Sequence, residues 1–520
     1  MSARGAVAAG HPLTAEAGAR VLREGGNAVD AAVAAVLTSF VAESPLTGLG
    51  AGGFMLIHDP TGEDVLLDFF VEVPGRTVGE RRSELLPIPV YFSPEQPQVF
   101  NVGAASCGVP GTAAGLARAL DGFGSVPLAE LVREPARLAR EGVEVNAQQA
   151  FIFKILDPIL TNQPEGAAIY APAGRILLEG ERFVFGELAD ALERYGAEGS
   201  EPFYTGEVAR RVSEWVVERG GTLGADDLAA YEPQIRDPVG ARYAGRYVLT
   251  NPPPSSGGVL IAFALALLDA AGSSNLATVV AAMEEAQVAR TEAFFHGLYE
   301  EGFARQFLTQ ERLDGAADRV RAGTRPPEAG HSGSGDRLGS TTHITAVDGN
   351  GRCASVTCSN GTGSGVIVPG TGIHVNNMLG EEDLNPLGFH MTPAGRRVTS
   401  MMSPTVVLRN GQLEMGLGSG GSNRIRSAVL QTIIRVIADG MDAQEAVTAP
   451  RVHYEAGAVQ AEPGVDERGL DTLAARGFQL VHWHERNLFF GGVHGVARDP
   501  VTGRLTGGGD PRRGGAVAYA

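Results

Sequence analysis

The chain has 520 residues and a mass of 54.2 kDa, with 43% hydrophobic and 20% charged residues. These fractions are typical of globular proteins and exclude a largely disordered or fibrous chain. Acidic residues outnumber basic residues by 60 to 42, the net charge is −18, and Lys154 is the only lysine. Because phosphate backbones repel an acidic chain without a basic run, we expect a soluble metabolic protein with no nucleic-acid partner.

Three features of the sequence limit the expected cofactors and location: the cysteines, the histidines and the first residues of the chain. Three cysteines without a paired motif cannot form a disulfide framework, and we expect them to be small buried residues. His482 and His484 lack a third ligand nearby, so no metal or other cofactor is expected. No signal-peptide pattern is seen, and the longest apolar region, residues 28–42, is too short to cross a bilayer. The expected location is cytoplasmic, with no membrane partner, or secreted if a leader has been removed.

The first predicted elements are two helices. Thr14 is predicted to cap a helix that ends near Arg23, and Asn27 is predicted to cap a second helix at about residues 28–41. The second helix is apolar on nearly all sides, which indicates that it is buried.

The glycine-rich run at residues 48–53 lacks the context of a dinucleotide-binding loop. Such a loop follows a strand and opens a helix. Here a helix precedes the run, and strand-like residues 54–58 and 65–70 follow it. Nucleotide binding is therefore not expected.

The middle of the chain is predicted to be mostly helical and to end in a linker. Helical patterns cover residues 111–120, 127–141, 259–268 and 276–299. Residues 322–340 contain mainly Gly, Ser and Pro without apolar periodicity, which indicates an exposed flexible segment. Beyond this segment the pattern predicts dense β-structure to about residue 420.

A β-hairpin is predicted directly after the linker. Residues 341–348 and 352–359 have strand-like patterns and are separated by a glycine-containing turn. This pairing places Thr341 opposite Cys358 or Ser359, with side chains about 5 Å apart, close enough for two hydroxyls to form a hydrogen bond. A threonine pair that only stabilises the sheet is the alternative that the spacing leaves open.

Thr341-Thr-His-Ile-Thr345 after a Gly/Ser-rich loop resembles the autoprocessing site of the gamma-glutamyltranspeptidases, which are N-terminal nucleophile hydrolases. The resemblance covers essentially the whole chain and keeps the family's order and spacing of motifs. The matching segments are His11-Pro-Leu with Ala17-Gly18, Gly25-Gly-Asn-Ala-Val-Asp-Ala-Ala32, Gly52-Gly-Phe-Met55, Val109-Pro-Gly111, Pro252-Pro-Pro-Ser-Ser-Gly-Gly258, Asn376-Asn377 and Ser403-Pro404. It implies an α/β (α+β) fold, the four-layer αββα sandwich, as one compact unit.

The resemblance also implies that a precursor is cleaved between Ser340 and Thr341. The large subunit would be residues 1–340, which end in the processing loop, and the small subunit would be residues 341–520. The two subunits from one precursor would remain together, and a dimer of this processed unit is possible.

Four residues take catalytic roles by resemblance. Thr341 supplies the nucleophilic hydroxyl, and its freed α-amine, with a pKa near 8, acts as the general base. Ser359 matches the threonine that bonds the nucleophile, and Gly421 and Ser422 match the glycine pair whose N–H groups stabilise the oxyanion. The roles of His343 and Cys358 stay open.

The substrate contacts depart from the family pattern. Phe70 stands where the family has a carboxylate-binding arginine, Met378 where it has a glutamine, and Met401 where it has the second serine of a pair. The positions expected to keep polar contacts are Asn360, Glu381 and Ser400. An arginine from elsewhere could supply the missing contact, and the candidates by proximity are Arg76, Arg396 and Arg397.

The leading expectation is therefore an autoprocessing N-terminal-threonine hydrolase or acyltransferase of gamma-glutamyltranspeptidase type. It would pass an acyl group from a small-molecule amide, through acyl-Thr341, to water or an amine. One alternative is an acylase, or another hydrolase, for a less polar acyl group, because glutathione fits poorly with Phe70. A second alternative is a homologue that is not processed and only binds.

Overall fold

In a computed structural model of the protein, residues 4–79, 81–93, 96–326 and 340–520 are described. Most of the predicted linker, residues 327–339, thus lies outside the described residues. Two β-sheets lie face to face, and helices cover the outer face of each sheet. This arrangement is the expected four-layer αββα sandwich.

Helices occur throughout the described part of the chain. They are α1 Pro12–Arg23, α2 Ala28–Ala42, α3 Thr112–Phe123, α4 Leu128–Leu131, α5 Arg133–Glu141, α6 Ala147–Leu160, α7 Pro164–Tyr170, α8 Gly186–Glu198, α9 Glu201–Tyr204, α10 Glu207–Glu218, α11 Ala225–Ala229, α12 Ser256–Ala271, α13 Leu276–Val288, α14 Glu292–Gly297, α15 Phe303–Phe307, α16 Gln310–Ala322, α17 Arg424–Ile437, α18 Ala443–Thr448 and α19 Glu467–Ala475. Short 3-10 helices are Ala104–Ser106, Met378–Gly380, Glu382–Leu384, Leu488–Phe490 and Pro511–Arg513.

The strands form two large sheets and several small ones. They are β1 Gly5–Ala9, β2 Gly52–His58, β3 Val65–Phe69, β4 Leu86–Ser93, β5 Gln96–Val102, β6 Val143–Glu144, β7 Arg182–Phe183, β8 Gln234–Arg236, β9 Val239–Tyr243, β10 Arg246–Thr250, β11 Thr342–Asp348, β12 Cys353–Ser359, β13 Ile367–Val368, β14 Ile373–His374, β15 Thr405–Arg409, β16 Gln412–Gly420, β17 Val452–Glu455, β18 Ala458–Ala461, β19 Gln479–His482, β20 Gly492–Arg498, β21 Leu505–Gly509 and β22 Ala516–Tyr519.

Both sides of the predicted cleavage point contribute to each large sheet. The first sheet has the order β22-β1-β11-β12-β2-β3-β8, and the second has the order β21-β20-β16-β15-β10-β9. Strands β11 and β12 therefore lie at the centre of the first sheet, between β1 and β2, and all these pairings are antiparallel.

Side-chain alternation along the strands creates two cores. In β2, Met55 and Ile57 belong to the core that includes helices α1, α2 and α3, whereas Phe54 and Leu56 belong to the core that includes the second sheet. This period of two is that of a strand buried on both faces. The inner core between the sheets also contains Phe70, Met378 and Met401. The gap between the sheets at one end of β11 is therefore where a site can form.

The first two helices differ in one cap from the prediction. The prediction of Thr14 as a cap is wrong, because α1 begins at Pro12 and His11 accepts the capping hydrogen bond from the Leu13 N–H at 3.1 Å. Proline is favoured in the first helical turn, where its missing N–H costs nothing. Asn27 caps α2 as predicted, in a capping box with Asp30.

Two longer predicted helices are each divided in the structure. Residues 127–141 form α4 and α5, and residues 276–299 form α13 and α14 with a break at residues 289–291. Thr291 causes the second restart, because its hydroxyl caps α14 by accepting the Phe294 N–H at 3.2 Å.

The prediction of dense β-structure to residue 420 is wrong for residues 360–404. Only two-residue strands and 3-10 helices occur there. Five glycines between residues 361 and 372 have positive φ, which interrupts a strand. Side chains replace the sheet partners: the Asn376 amide, for example, donates to the carbonyls of Gly50 at 2.8 Å and Gly108 at 3.0 Å.

Two features of the described ranges concern membranes and metals. No helix in these ranges is long and apolar enough to span a bilayer. No group of three or more His, Cys, Asp or Glu residues within them is arranged to hold a metal ion.

Candidate active site

The predicted nucleophile and its partner lie side by side at the open end of the β11–β12 hairpin. Thr342 pairs with Cys358, so Thr341 lies opposite Ser359, and the hairpin prediction is confirmed. The Thr341 hydroxyl donates to the Ser359 hydroxyl at 3.1 Å. Ser359 in turn donates to the carbonyl oxygen of Ser340 at 2.6 Å and accepts the Gly361 N–H at 3.0 Å. One hydroxyl therefore joins the Thr341 side chain to the peptide bond that precedes it.

The end of strand β16 lies against the backbone of Thr341. Strand β16 ends at Gly420, where an added Cβ would lie 2.3 Å from the Thr341 carbonyl oxygen, so only glycine fits. Gly421 and Ser422 follow, and no acceptor for their backbone N–H groups is found among the described residues. Two N–H donors beside a nucleophile are the elements of an oxyanion hole.

A cleft with a volume of about 40 Å³ opens over Thr341. Most of the predicted substrate and catalytic side chains line it. The lining residues are Phe70, Ser340, Thr341, Ser359, Gly361, Met378, Glu381, Asp383, Leu384, Ser400, Met401, Met402, Ser422 and Ile425. Asn360 is not among them, because it lies below the surface and its amide donates to the His374 carbonyl at 3.2 Å.

The charges in this lining are carboxylates. Glu381 accepts the Asn377 amide at 3.0 Å, and Asp383 accepts hydrogen bonds from Ser422 and Asn423. Within the described residues, no arginine or lysine lines the cleft.

The three arginines proposed as replacements lie elsewhere. Arg397 donates to Glu72 at 2.7 Å, and Arg76 donates to the same carboxylate at 3.0 Å. The guanidinium of Arg396 lies 5.3 Å from the centre of the Tyr299 ring. The expectation that one of them supplies a carboxylate contact in the cleft is therefore wrong for this structure.

A buried carboxyl group lies behind the nucleophile. Glu43 follows α2, is 5% exposed and accepts hydrogen bonds from the hydroxyls of Thr14, at 2.7 Å, and Thr342. Burial raises the pKa of Glu43 to about 7, although both hydroxyls lower it. Glu43 and Thr341 line a second small cavity, and among the described residues Thr341 is the one that also lines the cleft.

His343 and Cys358 are packing residues in the structure. His343 is fully buried between the sheets, bonded to the hydroxyls of Thr357 at 2.7 Å and Thr345 at 2.9 Å. Burial lowers the pKa of His343 well below its ordinary value, and the nearby His494 adds a smaller effect in the same direction. The ring is therefore neutral. Burial raises the pKa of the Cys358 thiol, and all three cysteines are buried as expected.

Sequence reasoning missed several neighbours of Thr341. Glu43 had a signal, since it is a carboxylate that ends an otherwise apolar helix. Asp383 had none, because its contact with Ser422 joins segments far apart in the chain.

Comparison with known proteins agrees with this geometry. The family model described as Gamma-glutamyltranspeptidase matches residues 14–520. The Acylase ACY 1 proenzyme of a Pseudomonas species is 32% identical over 520 residues, covering 97% of this chain and 91% of the relative. The glutathione hydrolase proenzyme of Escherichia coli is 30% identical over 543 residues, covering 98% and 90%.

Among solved structures, the cephalosporin acylase from Bacillus halodurans superposes with a TM-score of 0.83 at 27% identity, covering 99% of this chain and 96% of that chain. With the hydrolase relatives, this makes the protein an enzyme of the N-terminal nucleophile type, an amidohydrolase or acyltransferase. The chain belongs to the gamma-glutamyltranspeptidase family.

Proposed function

We propose that the protein is a precursor that cleaves itself before Thr341 and then hydrolyses or transfers the acyl group of a small amide through acyl-Thr341. The observation that carries the proposal is the hydrogen-bond chain from the Thr341 hydroxyl through Ser359 to the Ser340 carbonyl. The proenzyme names of two relatives support processing into two subunits. The subunits would be residues 1–340 and 341–520.

Self-cleavage begins at the Ser340–Thr341 peptide bond. The Thr341 oxygen attacks the Ser340 carbonyl carbon, its proton passes to the leaving nitrogen, and the amide becomes an ester. Ser359 donates to the carbonyl oxygen on which negative charge develops. Water then hydrolyses the ester, which leaves a carboxylate on Ser340 and a free hydroxyl and α-amine on Thr341.

Acyl transfer from a substrate repeats this chemistry with one change. The freed α-amine has an ordinary pKa of about 8, so it can accept the hydroxyl proton near neutral pH. The N–H groups of Gly421 and Ser422 would stabilise the tetrahedral oxyanion. Water or an amine then takes the acyl group from Thr341.

The cleft favours an acyl group that is less polar than γ-glutamyl. Phe70, Met378 and Met401 present apolar surface, and the charges in the described lining are the carboxylates of Glu381 and Asp383. Loss of a charge-assisted contact to a substrate carboxylate usually costs about 1.5–3 kcal/mol. The names of the acylase relative and of the cephalosporin acylase structure support an acylase as the class of enzyme.

The substrate proposal is tested with two sets of anilides. We expect kcat/KM for medium-chain aliphatic acyl anilides to exceed that for the γ-glutamyl anilide by about 10-fold or more, which corresponds to one lost charged contact. The Thr341→Ala variant is the control for background hydrolysis. Preference for the γ-glutamyl anilide would contradict the substrate class but not the nucleophile, and turnover of neither would favour the binding homologue.

A further inference from the structure

The turn between β16 and α17 holds a residue in a disfavoured backbone conformation. Ser422 has a φ of 51°, in the left-handed region that residues with a Cβ rarely adopt. By resemblance, the family has glycine here, which adopts this region freely. Such a conformation persists only where surrounding contacts hold it.

Asp383, another residue of the cleft lining, supplies those contacts. One carboxylate oxygen accepts the Ser422 hydroxyl, and the other accepts the Asn423 amide at 2.9 Å. Asp383 lies in the 3-10 helix Glu382–Leu384, about forty residues earlier in the chain. The same carboxylate therefore holds both the strained residue and its successor.

The carboxylate of Glu455 also holds Asn423. The Asn423 amide donates to Glu455 at 2.8 Å, and Asn423 is 1% exposed. Burial disfavours the Glu455 charge, but His453 at 3.1 Å and the charges of Arg290 and Arg426 outweigh it and lower its pKa to about 2. Two carboxylates therefore hold the turn. The buried one, Glu455, is ionised at neutral pH.

The turn connects directly to the reacting atoms. Gly420, the residue before the turn, lies against the Thr341 carbonyl. The carbonyls of the turn start helix α17: the Arg424 N–H donates to Gly421 at 3.0 Å and the Ile425 N–H to Ser422 at 3.1 Å. A rotation of Ser422 would thus move both the oxyanion donors and the start of the helix.

We propose that Asp383 is a positioning residue that holds Ser422 in the left-handed conformation and so aims the N–H groups of Gly421 and Ser422 at the carbonyl that Thr341 attacks. The inference rests on the proposed function. The rival role for Asp383, which lines the cleft, is direct contact with the substrate.

A double-mutant cycle separates the two roles. Asp383→Ala is made in the wild type and in the Ser422→Gly background, because glycine needs no clamp at a positive φ. Kinetics use the anilide that the wild type cleaves best. Asp383→Asn, which can still accept one of the two hydrogen bonds, tests partial rescue, and Glu382→Ala is the control on the same 3-10 helix but outside the cleft lining.

We expect Asp383→Ala to lower kcat by about 10- to 100-fold with little change in KM, since misplaced oxyanion donors act on the transition state. In the Ser422→Gly background the loss should shrink to about 3-fold or less. Asp383→Asn should lie between the two, and Glu382→Ala within about 2-fold of wild type. A rise in KM at constant kcat, or an equal loss in both backgrounds, would overturn the proposal.

Hydrogen exchange decides the matter even if the wild type cleaves no anilide. In that case the proposed function fails, but the clamp can still be measured at the Arg424 and Ile425 amides. Asp383→Ala should speed their exchange by at least about 10-fold, and the Ser422→Gly background should reduce this effect. Unchanged exchange in Asp383→Ala would refute the clamp itself.

Discussion

The Ser359 hydroxyl joins the Thr341 hydroxyl to the peptide bond at which we propose cleavage. It accepts from Thr341 at 3.1 Å and donates to the Ser340 carbonyl at 2.6 Å. The Gly361 N–H occupies a further site on the same oxygen and orients it. Under the proposed function, a hydroxyl in this position would both hold the Thr341 side chain and polarise the Ser340 carbonyl.

Removal of this hydroxyl should therefore slow self-cleavage. We expect Ser359→Ala to reduce the rate of fragment formation by about 100-fold, the usual effect of deleting one oxyanion donor. The rate is followed by mass spectrometry of freshly translated chain. Ser359→Thr, which keeps the hydroxyl, should cleave at nearly the wild-type rate, whereas equal rates for Ala and wild type would exclude this role.

Residue identities in the site were predictable where family motifs and local pairing coincide. Local sequence predicts a hairpin with Thr341 opposite Cys358 or Ser359, the resemblance selects Ser359, and the structure has this pairing. Asp383 was not predictable, because its bond to Ser422 depends on how a 3-10 helix packs across the cleft. The position of Arg397 outside the cleft lining was not predictable either, because its pairing with Glu72 is a tertiary contact.

At the scale of elements, the end of β16 sets the position of Thr341. A Cβ on Gly420 would lie 2.3 Å from the Thr341 carbonyl oxygen, which is backbone and cannot rotate away. We expect Gly420→Ala to abolish self-cleavage and to lower the free energy of unfolding by about 1–3 kcal/mol. Chemical denaturation and intact mass measure the two effects.

Gly315 provides the matched control for this substitution. It lies within α16, and nothing comes within 4 Å of an added Cβ. Gly315→Ala should stabilise the protein by about 0.5–1 kcal/mol and leave cleavage unchanged, because alanine favours the helix. Normal cleavage in Gly420→Ala would show that β16 does not constrain the nucleophile.

The carboxyl group at the end of α2 predicts a pH-dependent stability. Burial raises the pKa of Glu43 from 4.5 to about 7, so the folded state favours the protonated form. The favourable contribution is complete below pH 4.5 and is lost as the pH rises through 7, a loss of about 3 kcal/mol. Glu43→Gln removes this titration.

The free energy of unfolding, measured from pH 4 to 8 in the uncleaved Thr341→Ala background, checks this sign. The stability of Glu43→Gln relative to its parent should rise with pH across this window. Glu63→Gln supplies the matched control, since it makes the same substitution at an exposed position. A constant difference between the Glu43→Gln variant and its parent would mean that Glu43 does not titrate in this window.

Helices and strands with clear capping, periodicity or turn residues were predictable from the sequence. The apolar helix α2 and the β11–β12 hairpin follow from capping, periodicity and turn chemistry. The structure of residues 360–404 could not be predicted from local signals, because long-range side-chain contacts such as those of Asn376 replace the sheet there. A sequence pattern rich in apolar residues and threonine cannot distinguish these two ways of satisfying the backbone.

At the scale of the whole molecule, the two predicted subunits share both sheets. Strand β11, just after the predicted cleavage point, lies between β1 from the first segment and β12, which pairs with β2. Separation of the subunits would expose two cores and break antiparallel pairing along several strands. We therefore expect cleavage to leave the fold intact and to create a new N-terminus at the edge of the cleft.

The intact mass of purified wild type and of its Thr341→Ala variant tests the central claim most directly. The account predicts two wild-type fragments, residues 1–340 and residues 341–520, and one uncut chain for Thr341→Ala, because only a hydroxyl at position 341 can form the ester. Wild-type chain that stays uncut on long incubation, or a Thr341→Ala chain cut at the same bond, would contradict it.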